Sequence, residues 1–258
     1  MKLLVISDLH TEFTPFDIPD LDRDILVLAG DIAEGSKAKA ILEKEVKKSP
    51  IIYILGNHEY YFNDFDVIKD FWSNYDVANV HFLENKTCYI NDIRFIGATL
   101  WTDFDALSDR PDSMPGAMTH NLRMREKAFR AANFYLSKTG TTRYGLPFDA
   151  QAVREQALVC QQWLREKLSS PFEGKTLVIT HFAPSLKSHD PRYGVNPGTV
   201  GFCNALEDLL GQADVWLHGH LHCASNYQVG KCRVMANPLG YYRKREQSDF
   251  LPQYLVTI

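Results

Sequence analysis

The chain has 258 residues, a formal net charge of -4 and 45% hydrophobic residues. This length supplies one large or two small folded cores, and the composition excludes disordered and fibrous classes. The mild acidity argues against a protein dedicated to coating nucleic acid or an anionic membrane.

The first apolar run stops at Ser7-Asp8. It is too short for the roughly 7–15 apolar residues of a secretion signal. No run approaches the ~20 apolar residues of a membrane span. The five cysteines are odd in number and scattered, with no C-x-x-C pair. Reduced thiols and a cytoplasmic setting are the expectation.

Residues 3–7 run into Asp8 and His10, and residues 25–29 into Gly30-Asp31. Residues 51–55 run into Gly56-Asn57-His58, 177–180 into His181, and 215–217 into His218-Gly219-His220. Short runs rich in Val, Ile and Leu, bounded by turn residues, read as strands buried on both faces. A helix capped by Ser36 is expected to reach about residue 48, and a second, capped by Asp149, to carry Val153, Ala157, Cys160, Leu164 and Leu168 inward. Residues 81–100 read as a strand-rich meander turning at Asn91-Asp92. Residues 101–114 read as a loop and 118–136 as a helix using Leu122, Phe129, Ala132 and Leu136. A last hairpin is expected around Gly230-Lys231. No internal repeat or linker divides the chain, so 1–258 reads as one domain with an insertion at about 101–150.

Loops at the carboxyl ends of buried strands are where open α/β folds place their sites. Here they hold Asp8-x-His10, Gly30-Asp31, Gly56-Asn57-His58-Glu59, Thr180-His181 and Gly219-His220-x-His222. Each fragment alone is more often a turn than a site. Five in series, holding five of the nine histidines, are not explained by turn chemistry. Imidazole, carboxylate and amide oxygen without thiolate suit Mn, Fe, Zn, Co or Ni and disfavour a cysteine-based structural zinc site. The donors outnumber the needs of one metal.

In order and in kind, these five motifs resemble those of the calcineurin-like metallophosphoesterase family, over residues 8–222. The resemblance implies an α/β fold, a four-layer αββα sandwich with a small helical cap insertion. It implies two divalent transition metal ions, Mn favoured, one held by Asp8, His10, Asp31 and His222. The other would be held by Asp31, Asn57, His181 and His220, with Asp31 shared. The pair would activate a bridging water for in-line attack on phosphorus. Asn57 would touch the phosphate and His58 would protonate the leaving oxygen. Glu34 stands where protein phosphatases of this superfamily carry the acidic partner of that histidine. His218 reads as an outer partner of the ligands, and His120 and Asn121 as substrate contacts or ordinary helix residues. His81 and His189 belong to no motif. The segment Asn237-Pro238-Leu239-Gly240-Tyr241 resembles a closing segment of small bacterial members and is expected to pack beside the metal loops or to bury its tyrosine.

Protein phosphatases of the superfamily also carry two arginines that grip a phosphomonoester dianion. Gly35 and Leu55 occupy those positions here. That shifts the expectation toward a phosphodiesterase acting on a small phosphorylated substrate. A phosphomonoesterase or protein phosphatase, and a nuclease of the same superfamily, are the alternatives. Arg123, Arg125, Lys127, Arg130 and the run Arg243-Lys244-Arg245 are interrupted by Glu126 and Glu246, so nucleic acid is not favoured. A retired scaffold that binds protein through the old site is the non-enzymatic alternative, disfavoured because no ligand is missing. The sequence carries no signal for an oligomeric state.

Overall fold

The computed structural model describes residues 1–108, 110–111 and 113–258. In chain order, β1 (Lys2–Ile6) and β2 (Ile25–Ala29) precede α1 (Lys39–Glu45), β3 (Ile51–Ile54) and α2 (Phe65–Ser73). Next come β4 (Val80–Phe82), β5 (Lys86–Ile90), β6 (Ile93–Ala98) and α3 (Ala117–Leu136). The short ribbon β7 (Thr142–Arg143) and β8 (Leu146–Pro147) leads into α4 (Ala150–Ser169) and β9 (Lys175–Thr180). The chain ends through α5 (Glu207–Leu210), β10 (Val215–His218), β11 (Ser225–Val229), β12 (Cys232–Ala236) and β13 (Leu255–Thr257).

These strands build two sheets. One runs β13-β1-β2-β3-β4 and the other β11-β12-β10-β9-β6-β5. Burial on both faces explains why β2 and β3 are apolar throughout. Leu3, Val5, Val27, Ile52 and Ile54 face one way and meet Phe95, Leu177, Ile179 and Leu217 of the other sheet. Their neighbours Leu4, Ile6, Leu28 and Tyr53 face outward into a core shared with Leu42, Ile68 and Trp72 of α1 and α2. On the far side, Val178 and Trp216 pack against Cys160, Leu164 and Leu168 of α4. The result is helix, sheet, sheet, helix, with a dry layer between the sheets. β1, β2, β3 and β4 pair in parallel, as do β6, β9, β10 and β12. The expected strand-end loops of each parallel set therefore open at one end of their sheet.

Three expectations change. The meander over 81–100 divides: β4 joins the first sheet beside β3, and only the β5–β6 hairpin lies in the second. Ser36 caps nothing. Residues 35–38 form turns and α1 begins at Lys39 with no side-chain cap. In α3 only Ala117 and Ala128 are buried, and Leu122 is 53% exposed, so the apolar stripe is narrower than its spacing suggests. Asp149 does cap α4, accepting from the N–H of Ala152 at 3.0 Å. The expected loop at 101–114 holds no helix or strand among its described residues; 109 and 112 lie outside them. All five cysteines are free thiols.

Candidate metal centre

The motif residues converge. Asp8 and His10 follow β1, Asp31 follows β2, and Asn57 and His58 follow β3, all from the first sheet. His181 follows β9, and His220 and His222 follow β10, from the second. Donor atoms of Asp8, His10, Asp31 and His222 lie within 4.8 Å of one another, as do those of Asp31, His181 and His220. Asp31 belongs to both groups. The amide oxygen of Asn57 lies 3.1 Å from His181 Nε2.

The backbone is bent to make this possible. Asp8, His10, Asp31, His220 and His222 all have positive φ, between 47° and 72°. Non-glycine residues rarely adopt it, and each such residue costs about 1–3 kcal/mol. The strain concentrates where a ligand must turn back across the sheet end. Two glycines answer the same crowding. Gly30 has φ +86°, and a Cβ there would overlap the His181 ring. A Cβ on Gly56 would strike the Asp31 carboxylate.

The donor set fits divalent cations. His10 Nε2 and His222 Nε2 face each other at 2.9 Å, and His220 Nδ1 faces His181 Nε2 at 3.2 Å. At most one nitrogen of each pair carries a hydrogen for the other, whereas a cation accepts both lone pairs. The outer nitrogens are held in place. His222 Nδ1 meets Glu246 Oε2 at 2.6 Å, His181 Nδ1 donates to the Ala29 carbonyl at 2.9 Å, and His10 Nδ1 meets Glu12 Oε1 at 3.3 Å. These acceptors fix the ring tautomers and direct Nε2 inward, as outer partners of metal-bound imidazoles do.

The electrostatics agree. Burial opposes charging Asp8, yet the hydrogen bond and charge of His222 hold its carboxyl down to about 2. Burial likewise opposes protonation of His181 and His222. The charge of Asp31 lifts His181 to about 9, and hydrogen bonds donated to Asp8 and Glu246 lift His222 to about 9. Burial and the nearby His181 charge press His220 well below the usual imidazole range. Without a cation, two imidazoliums balance the buried carboxylates. A metal must displace those protons, so its affinity rises with pH up to about 9. Calorimetric titration with Mn²⁺ at two pH values is expected to show tighter binding and less proton release per metal in the more alkaline sample, where the imidazoles are already partly deprotonated. Equal affinities would contradict this.

His58 sits beside the donors. Its backbone N–H donates to Asp31 Oδ1 at 2.8 Å. Its Nδ1 lies 2.9 Å from Glu12 Oε1, and its Nε2 lies 2.8 Å from the Tyr241 hydroxyl. Burial opposes its charged form, but the charge of Asp31 and the Glu12 hydrogen bond raise its pKa above the ordinary value. Glu12 itself is held down to about 2, its burial outweighed by hydrogen bonds from His10 and His58. Glu34, expected in that position, instead pairs with Lys37 at 2.8 Å at the rim of a turn. Glu12 escaped notice because it follows the Asp8-x-His10 motif on the first loop, with no pattern to mark it.

Glu59 is a further residue the motif contained without a role. Its carboxylate accepts from the backbone N–H groups of Asp31 (3.1 Å), Ile32 (2.8 Å) and Gly56 (2.7 Å), and from the Tyr53 hydroxyl (3.0 Å). It clamps the β2 and β3 loops together. Burial and the charge of Asp31 push it up to about 7, against His181 and those backbone donors.

The remaining candidates lie apart from the donors. His218 is buried, with Nε2 2.9 Å from Ser188 Oγ and Nδ1 donating to the Gly219 carbonyl at 3.0 Å. Burial lowers it to about 4, so it is a neutral packing residue. Asn121 exchanges hydrogen bonds with the backbone of Arg110, and half-buried His120 lines a separate surface recess with Leu107, Met114 and Met124. The segment 237–241 does close on the site. Leu239 N–H donates to the Ser7 carbonyl and Gly240 N–H to the Asp8 carbonyl, both at 3.0 Å, which carries Tyr241 to His58.

Comparison with known proteins agrees with the fold. An uncharacterized protein of Acanthamoeba polyphaga mimivirus is 25% identical over 291 residues, covering all of this chain and 97% of that one. The crystal structure of phosphopantetheinyl hydrolase from Mycobacterium tuberculosis superposes with a TM-score of 0.66 at 18% identity, covering 99% of this chain and 95% of that one. No helix among the described residues is long and apolar enough to cross a membrane. The family described as calcineurin-like phosphoesterase matches residues 1–224, through all five motifs. The chain therefore belongs to the calcineurin-like phosphoesterases and is a phosphoester-hydrolysing enzyme.

Proposed function

We propose that this enzyme is a two-metal phosphodiesterase acting on small phosphorylated substrates, with Mn²⁺ as the favoured metal. The observation that carries the reading is the pair of donor groups joined through Asp31, next to a histidine outside both. Asp8, His10, Asp31 and His222 would hold one cation, and Asp31, Asn57, His181 and His220 the other. When bound, such a pair lowers the pKa of a water and neutralises phosphoryl charge.

The chain's own contribution is positional. Glu12 accepts from Nδ1 of His58, so the mobile proton resides on Nε2. That nitrogen faces Tyr241 rather than the buried donors. The raised pKa of His58 keeps the proton available near neutrality, as a general acid for a leaving alkoxide requires. Asn57 is held by its Nδ2 donating to the Tyr61 hydroxyl at 2.7 Å, which leaves Oδ1 turned toward His181. The diester preference rests on Gly35 and Leu55. Neither places a cation where a dianion would need one.

The test is hydrolysis of bis- and mono-p-nitrophenyl phosphate with Mn²⁺. A higher kcat/KM on the diester is expected, and a monoester preference would overturn the assignment. His58→Ala should slow alkyl esters by about 10²–10⁴-fold and p-nitrophenyl esters much less. Equal slowing of both would show that His58 does not donate the proton.

A further inference from the structure

A cleft of about 210 Å³ opens beside His10 and Tyr241. Phe13, Thr14, Tyr242 and Arg243 complete its walls. It is smaller than the roughly 300–1,000 Å³ of a site for a whole drug-sized ligand, so it suits one ring system of a larger molecule. Three aromatic side chains surround it, and Phe13 and Tyr242 are 57% and 48% exposed. Phe13 is presented by a single turn after His10, its N–H donating to the His10 carbonyl at 2.9 Å. Its ring lies 6.3 Å from those of both His10 and His58. The cleft thus borders His10 and lies one ring away from His58.

Its charge is equally specific. The Arg243 guanidinium lies 5.7 Å from the Phe13 ring centre and 5.3 Å from that of Tyr241. Among the described residues it forms no ion pair with a carboxylate, whereas neighbouring Lys244 reaches Glu246 at 3.9 Å. Exposed aromatic faces and an unneutralised guanidinium, one ring away from a phosphate site, match a flat heterocycle joined to phosphate by a short polar link. Stacking on aromatic faces and on Arg supplies affinity for any base. An alkyl substituent would gain nothing from the cation.

Resting on the phosphodiesterase reading, we propose that this cleft is a nucleoside subsite: the substrate is a nucleotide ester whose base stacks on the exposed Phe13 ring beside Arg243, with its edge toward Tyr241. Two measurements separate the subsite from the catalysis. The first is calorimetric binding of thymidine 5′-monophosphate against ribose 5-phosphate, which lacks the base. The nucleotide is expected to bind about tenfold more tightly. Phe13→Ala should erase that margin, Phe13→Trp should keep it, and Arg243→Ala should reduce it. Equal affinities in the parent enzyme, or a margin that survives Phe13→Ala, would overturn the subsite. The second is hydrolysis of thymidine 5′-(p-nitrophenyl phosphate) against ethyl p-nitrophenyl phosphate, which share a leaving group. A kcat/KM ratio of about ten or more that collapses in Phe13→Ala supports the subsite. Hydrolysis of both esters at equal efficiency overturns it and leaves the phosphodiesterase reading standing. Base-dependent binding without hydrolysis of either ester would do the reverse.

Discussion

Asp31→Asn is expected to lower kcat/KM on bis-p-nitrophenyl phosphate by at least about 10³-fold, the scale of several kcal/mol of lost charge stabilisation. The substitution is nearly isosteric. Asparagine keeps an oxygen where Oδ1 accepts the His58 N–H, so the turn that carries His58 should survive. What disappears is charge. Asp31 Oδ2 lies 3.3 Å from His181 Nε2 and 3.9 Å from His10 Nε2, one histidine from each donor group. An amide there offers N–H groups to nitrogens that need to keep their lone pairs for a cation. Elemental analysis should therefore show fewer than two metals per chain, with an unchanged circular dichroism spectrum. Activity within tenfold of the parent, or two metals retained, would remove Asp31 from its proposed shared position.

Glu59→Ala is expected to act on stability instead. It leaves the N–H groups of Asp31, Ile32 and Gly56 and the Tyr53 hydroxyl without their acceptor, inside the protein. Each buried polar group left unpaired costs about 1–3 kcal/mol, and local relaxation recovers part of the sum. A loss of roughly 3–6 kcal/mol corresponds to a fall in Tm on the order of 10 °C or more for a chain of this size. Glu59→Gln should fall between, because its amide oxygen serves some of these donors and its NH₂ opposes the others. A Tm within about 2 °C of the parent for Glu59→Ala would show that the clamp is unimportant, since that is the size of a surface substitution.

The difference between Glu59 and Glu12 shows what could be read from the chain. Glu59 lies inside a motif, and the motif could be read because its residues do chemistry that few residue types can do. Glu12 acts by where the first loop puts it, two residues past a ligand, and that geometry exists only when the loop meets the β3 loop. The two-sided strands were legible because burial on both faces forces an unbroken apolar run, as at 25–29. Sheet membership was not. Nothing in the apolar content of β4 distinguishes pairing with β3 from pairing with β5, and tertiary packing decided it. Helix α2 carries local signals of its own, a cap at Asp64 and buried Phe65, Ile68 and Trp72 at helical spacing. The α1 start was misplaced because a serine followed by alanines looks like a cap, whereas the backbone continues in turns to Ala38.

The division of donors between the two sheets has a consequence in time. Asp8, Asp31 and Asn57 come from the first sheet, and His181, His220 and His222 from the second. Contacts so distant in sequence form late, after the loop-closure cost has been met. The metals therefore cannot template early folding of this chain. The inter-sheet layer of Val5, Val27, Phe95 and Ile179 must assemble by itself, and ions enter a scaffold already built. Refolding rates should then be indifferent to added Mn²⁺, while unfolding slows in its presence because both sheets are tied across their open end.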